Sequence, residues 1–233
     1  MRVLFNLLGD LYLFTTTSLF VFIPIAALIF PLRSFSSRFM HLWSQVLLRS
    51  FGIKLDVSGV ENLEKTKGVL FVANHSSYLD VPVLFASLPC QFGFVAKISL
   101  LWFLPISLWV YATGGLFFER RRTKGEFSRM MKLIRFVKAG RNFLLFPEGT
   151  RTRTGKLGRF SPAAFKIATL SGATVYPIYI KGSFALLPPG SFFVRQGVVN
   201  VTIGDEICAT GSLVLLEKTS RWFASFQKDE LPR

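Results

Sequence analysis

The sequence predicts an α/β fold, helices packed on a β-sheet, with a membrane-associated pair of helices in front of it. Three observations carry this. A 22-residue uncharged stretch runs from Leu11 to Leu32 between Asp10 and Arg33. Past Phe51 the pattern changes to short apolar runs alternating with helical stretches, the signature of strands covered by helices. The composition is 51% hydrophobic with 26 Phe and a mean hydropathy of +0.44, yet the formal charge is +15. A chain both apolar and strongly basic suits an anionic surface, lipid before nucleic acid. Its 233 residues suffice for one such domain, and the expected division is residues 1–51 for the membrane-associated helices and 52–233 for the α/β domain.

Taken in order, Leu11 to Leu32 would be about 33 Å long as a helix, enough for a hydrocarbon core of roughly 30 Å. A cleaved signal peptide fits poorly: the apolar run is too long and Arg2 is its only positive start. Pro24 and Pro31 interrupt the run. Phe35 to Phe51 then places Phe39, Leu42, Trp43, Val46 and Leu47 at helical spacing, with Arg38, His41, Gln45 and Arg49 largely elsewhere, as in an amphipathic helix lying in an interface. The pair is either a span plus a surface helix or a hairpin dipping into one leaflet, and the sequence leaves both open. Arginines 33, 38 and 49 after the apolar run favour a cytoplasmic domain.

Seven strands are expected: Ile53 to Val57, Val69 to Ala73, Phe92 to Ala96, Leu116 to Glu119, Asn142 to Phe146, Thr174 to Ile180 and Val198 to Ile203. Helices are expected over Val81 to Leu88, over Glu126 to Lys138 with Phe127, Met130, Met131, Ile134 and Val137 inward, over Pro162 to Leu170, and over Ser212 to Gln227. Lys97 to Ala112 is apolar all round, so it either packs deep in the core or adds to the membrane face. Cys90 and Cys208 have no metal-ligand spacing to the two histidines; no metal site is expected, and both read as reduced, packed thiols. Residues 119 to 166 hold 14 Lys and Arg against three Glu, +11 of the +15. Arg129, Lys132, Arg135 and Lys138 fall on the outer side of their helix, as a solvated face or as an attractor of anionic lipid or an acidic carrier.

Three constellations carry chemistry. Asn74 to Asp80 runs from the end of a strand into a helix, with His75 five residues before Asp80. On one ideal helix they would lie about 140° apart, but a loop followed by a helix lets Asp80 reach back, and Ser77 and Asp80 suit a helix-start capping pair. Alone, such a pair is ordinarily structural. Gly114 to Arg120 is a strand ending in an arginine, and Phe146 to Arg153 is a strand entering a Pro-Glu-Gly turn with two arginines, whose planar forks suit phosphate. Each alone reads as strand-end punctuation, with a surface ion pair of Glu148 to Arg151 or Arg153 in the second.

Together with Val175 to Ile178, these blocks resemble, in order and at familiar distances over roughly residues 70 to 180, the 1-acylglycerol-3-phosphate acyltransferase family. Glu119 stands where Asp is common and Tyr176 where a small aliphatic is usual. The resemblance implies a mixed β-sheet flanked by helices, glycerol-phosphate acyltransferase-like, so that residues 52–233 form an acyltransferase catalytic domain. It implies that His75 takes the proton from the acceptor hydroxyl while Asp80 fixes the imidazole tautomer, and that Arg120, Glu148, Gly149 and Arg151 bind the phosphate and glycerol of lysophosphatidate. No cofactor is implied beyond the co-substrate, acyl-CoA or acyl-ACP. Expected partners are lysophosphatidate, acyl-CoA or acyl carrier protein, and anionic membrane lipids, with no nucleic acid. The expected place is the cytoplasmic face of the inner or cell membrane, integral or monotopic through the N-terminal helices. The alternatives are another lysolipid acceptor or, from a different class, a non-catalytic basic protein on membranes or nucleic acid.

Overall fold

A computed structural model describes residues 33–63, 67–119 and 124–228. The stretch Leu11 to Leu32 lies outside the described residues, and so does Arg120. Helix α1 (Arg33–Ser50) leads into β1 (Ile53–Ser58), and β2 (Leu70–Ala73) follows a 3-10 turn. Then come α2 (Asp80–Ser87), β3 (Gly93–Lys97), a 3-10 turn over Ile98–Trp102, α3 (Leu104–Ala112) and β4 (Leu116–Phe118). The chain ends with α4 (Lys124–Lys138), β5 (Phe143–Leu145), α5 (Pro162–Ser171), β6 (Val175–Lys181), the single turn α6 (Ser183–Leu186), β7 (Gly197–Ile203) and α7 (Ser212–Lys228).

The seven strands form one mixed sheet in the order β1-β7-β6-β2-β5-β3-β4. Every neighbouring pair is parallel except β6 with β7, so β1 and β7 run against the other five. Alternation along each strand divides the core. Phe71, Ala73, Tyr176 and Ile178 face a cluster with α1 and α2, whereas Leu70, Val72, Val175 and Tyr179 face one with α4, α5 and α7. The three central strands β6, β2 and β5 are buried on both faces, which is why they read as unbroken apolar runs. Tyr176 is fully buried against Phe71, its register partner on β2.

Helix α4 turns differently from its expected face, whereas the exposed part of the apolar arc of α1 is compatible with an interfacial helix. In α1 the buried stripe is Ser36, Ser37, Met40, Ser44 and Leu48, small residues that let the helix settle on α2, while Leu42 and Val46 stay exposed with Phe35. Phe39 and Trp43 are half-buried against that core, Phe39 stacked on Trp109 of α3 with centroids 5.4 Å apart. In α4 the inner face is Met130, Leu133, Ile134 and Val137; Phe127 and Met131 point outward. The difference in α4 has a plain cause. Periodicity finds an apolar arc, but which part of a broad arc is covered depends on the neighbouring element. The Lys97 to Ala112 stretch divides: Trp109 is buried, whereas Trp102, Phe103 and Leu104 are exposed. Cys208 is exposed instead of packed, and burial pushes the Cys90 thiol up to about 11, leaving it an inert thiol.

Helix α1 is also bound to α2 by a polar contact. His41 Nδ1 lies 2.8 Å from the carbonyl oxygen of Phe85 in the last turn of α2, and Gln45 Nε2 lies 3.0 Å from His41 Nε2. These partners select the tautomer that donates from Nδ1 and accepts at Nε2. Among the described residues no helix is long and apolar enough to cross a membrane.

Phe71 is fully buried at the sheet centre and touches the rings of Phe92 and Tyr176. Phe71→Ala is expected to cost about 3–5 kcal/mol through lost burial and the cavity left behind, read as a lowered denaturant midpoint with an unchanged m-value.

Candidate active site

The carboxyl ends of β2, β5 and β6 lie side by side, and the loops leaving them meet, the usual place for a site in a parallel sheet. After Ala73 the β2–β6 ladder stops, and the Asn74 side chain extends it: Nδ2 donates to Ile180 O at 2.9 Å and Oδ1 accepts from Ile180 N at 2.7 Å. This turns the chain so that His75 and Ser76 leave the sheet edge. The His75 backbone is then gripped by the loop after β5, its N–H donating to Glu148 Oε1 at 2.8 Å and its carbonyl accepting from Thr152 N at 2.9 Å.

The imidazole is fixed on two further sides. Phe146 stacks on it with centroids 4.0 Å apart and planes 14° from parallel. Asp80, the first residue of α2, holds Nδ1 at 2.9 Å through Oδ2. The same oxygen accepts the N–H groups of Ser76 at 2.6 Å and Ser77 at 2.8 Å, and Oδ1 accepts from Ser183 Oγ at 2.6 Å. The two amides and the hydroxyl donate, so the carboxylate form satisfies them together and offers His75 Nδ1 an acceptor. Nδ1 must then carry the proton, which leaves the Nε2 lone pair as the unclaimed edge of a ring that is 18% exposed. This arrangement can accept a proton from a hydroxyl delivered at that edge.

Neither serine beside the histidine is free to attack. Ser183 spends its proton on Asp80, so Ser76 Oγ donates in its 2.9 Å contact with Ser183 Oγ. Ser77 Oγ donates to Leu187 O and accepts from Leu79 N. The expected capping pair is therefore one-sided: Asp80 accepts from the Ser77 amide, but the Ser77 hydroxyl serves Leu79.

The other expected residues fall as follows. Glu148 is braced by backbone, not by an arginine: Oε2 accepts from Gly158 N at 2.7 Å and Oε1 from His75 N. Gly149 takes a left-handed φ of 67° in the Pro-Glu-Gly turn, where its N–H returns to Phe146 O. The guanidinium of Arg151 lies over the Tyr78 ring, 3.4 Å from its centroid, and its Nη1 is buried and meets no acceptor among the described residues. Arg153 is exposed. Arg120 lies outside the described residues. The amides of Ser76, Ser77 and Gly149, natural candidates to hold a developing oxyanion, are bonded within the protein. Sequence reasoning missed Phe146 as a ring partner, Tyr78 as a platform and Ser183 altogether. Only Tyr78 carried a local signal, an aromatic between the histidine and the aspartate.

A family model described as Acyltransferase matches residues 54–181, and that span holds both the His75–Asp80 pair and the Glu148 turn. The chain belongs to the acyltransferase family. Among related acyltransferases, a chloroplastic 1-acyl-sn-glycerol-3-phosphate acyltransferase of Arabidopsis thaliana is 31% identical over 186 residues, 78% of this chain and 51% of the relative. A 1-acyl-sn-glycerol-3-phosphate acyltransferase of Borreliella burgdorferi is 30% identical over 149 residues, 64% of this chain and 57% of the relative. The chain thus spans about half the length of the curated relatives it matches. The crystal structure of the 1-acyl-sn-glycerophosphate acyltransferase PlsC from Thermotoga maritima shares the fold, with a TM-score of 0.76 and 23% identity over 95% of this chain and 97% of that one.

Burial pushes the Glu148 carboxyl up from its ordinary value, and the His75 and Gly158 amides only partly offset this. A carboxyl raised on folding favours the fold below its unfolded value, and that advantage is lost as the pH rises through the raised one. The unfolding midpoint of the wild type relative to Glu148→Gln is therefore expected to fall as the pH climbs from below 4.5, measured by thermal melts of both proteins across that range.

Proposed function

We propose that this acyltransferase moves a fatty acyl group from an acyl thioester, acyl-CoA or acyl-ACP, to the sn-2 hydroxyl of 1-acylglycerol-3-phosphate, giving phosphatidate. The observation that carries it is the tautomer of His75: Nδ1 is held by a buried carboxylate and Nε2 has no competing partner among the described residues. Nε2 removes the proton of the acceptor hydroxyl as its oxygen attacks the thioester carbonyl. The C–O bond forms, and the tetrahedral intermediate expels the thiolate. The imidazolium, stabilised by Asp80, returns its proton to the departing sulfur. Transfer is direct. The neighbouring hydroxyls are spent on Ser183 and Leu187, which supports a mechanism without an acyl-enzyme.

Arg151 is the phosphate ligand of this reading, since Tyr78 holds the guanidinium plane while a buried N–H lacks a partner among the described residues. Arg120 is the second phosphate ligand of this reading, from the resemblance of its sequence block alone. Glu148 and Gly149 shape the floor on which the glycerol rests, and Glu148 retains acceptor capacity for a glycerol hydroxyl. Residues 1–51 bring the α/β catalytic domain to the cytoplasmic face of a membrane, where the apolar acceptor resides. The exposed Phe35, Leu42 and Val46 of α1, interspersed with Arg38 and Arg49, support that placement.

In an assay of detergent-purified protein with lysophosphatidate and each donor, His75→Ala is expected to lower kcat by at least about 10²- to 10⁴-fold with lysophosphatidate binding preserved. Arg151→Ala is expected to raise KM for lysophosphatidate by roughly tenfold with a smaller change in kcat. Near wild-type turnover by His75→Ala would remove the general base from the mechanism. Equal activity on an acceptor lacking the phosphate would remove Arg151 from its role.

A further inference from the structure

Asp80 is held unevenly. The three donors on Oδ2 come from residues 75, 76 and 77, all from the loop that the aspartate itself caps. Oδ1 is held from elsewhere, by a hydroxyl 103 residues away in sequence. The terminal torsion of an aspartate is broad, so bonds at one oxygen locate that oxygen but leave the carboxylate plane free to swing about it. A bond at the second oxygen fixes the plane, and the plane aims the lone pair that receives His75 Nδ1–H.

We propose that Ser183 is a third member of this relay, a positioning residue that sets the carboxylate plane of Asp80 and through it the imidazole. This rests on the reading of His75 as the general base. Ser183 is fully buried, and its hydroxyl is polarised from behind by Ser76. The hydrogen bonds run Ser76 Oγ–H to Ser183, Ser183 Oγ–H to Asp80, and His75 Nδ1–H to Asp80, three protons committed in one sense. The chain is built to deliver Ser183 there. β6 ends at Lys181, and Gly182 has a φ of 98°, so close to β7 that an added Cβ would lie 2.5 Å from the Val198 carbonyl oxygen. Only glycine makes that turn without displacing β7, and the next residue meets Asp80. Four residues on, Leu187 O receives Ser77 Oγ, so the segment leaving β6 grips the histidine loop at two more points besides Asn74.

The test is steady-state kinetics of the full chain in detergent, with lysophosphatidate and with palmitoyl-CoA and palmitoyl-ACP in separate arms. Ser183→Ala is expected to lower kcat about 10- to 100-fold while KM for both substrates stays within about twofold, since the base loses its aim and the binding groups keep theirs. Ser183→Thr or Ser183→Cys, each restoring a donor, is expected to recover at least about a third of the lost turnover. Two restoring variants are used because the extra methyl of threonine enters a site with no spare exposure. More than half of the wild-type kcat in Ser183→Ala overturns the proposal. So does a rise in KM that matches the fall in kcat, or a failure of both restoring variants to recover turnover. His75→Ala, run alongside, separates the two readings: an inactive His75→Ala with a normal Ser183→Ala removes only Ser183, whereas an active His75→Ala removes the base itself.

Discussion

A carboxylate with no solvent exposure is the constraint around which this end of the molecule is arranged. Removing such a charge from water costs several kcal/mol, and hydrogen bonds to a charged group return about 1.5–3 kcal/mol each. Asp80 collects four of them, from an imidazole, two amides and a hydroxyl. The loop after β2, the first turn of α2 and the exit of β6 therefore cannot vary independently. Displacing any one leaves a buried charge short of a donor, so the geometry useful for proton transfer is the one in which the aspartate is satisfied.

A second carboxylate near the same histidine is used differently. Among the described residues Glu148 accepts from two backbone amides, one on His75 and one on Gly158 across the turn, so it works as a brace between two loops. Burial above all, and in smaller part the charge of Asp80, raise its carboxyl from the ordinary value. The sheet order explains how the two come together: β5, β2 and β6 are consecutive, so the loop with Glu148, the loop with His75 and the turn with Ser183 leave neighbouring strands on one edge.

Much of this was legible in the sequence because it is local. Seven apolar runs became seven strands within a residue or two, and His75, Asp80, Glu148 and Gly149 lie in two short blocks whose spacing alone implies strand-end loops. What escaped depends on tertiary placement. Ser183 sits beyond the last recognisable block, and a serine after a glycine resembles any turn; only the adjacency of β6 to β2 gives it meaning. Phe146 looked like the end of a core strand, and its ring in fact lies flat on the histidine. The inner face of α4 was misjudged because its apolar arc is wide, and the covered part centres on Leu133.

Helix α2 touches both histidines described above: His75 is held at its first residue, and His41 donates to a carbonyl in its last turn. The helix has eight residues, about 12 Å of rise. It joins the contact with α1 to the loop that carries His75. Along α2, the separation between the two contacts is set by the number of residues between Asp80 and Phe85. A single insertion in α2 would shift one end by about 1.5 Å and rotate it by about 100°, taking His75 out of register with the contact to α1.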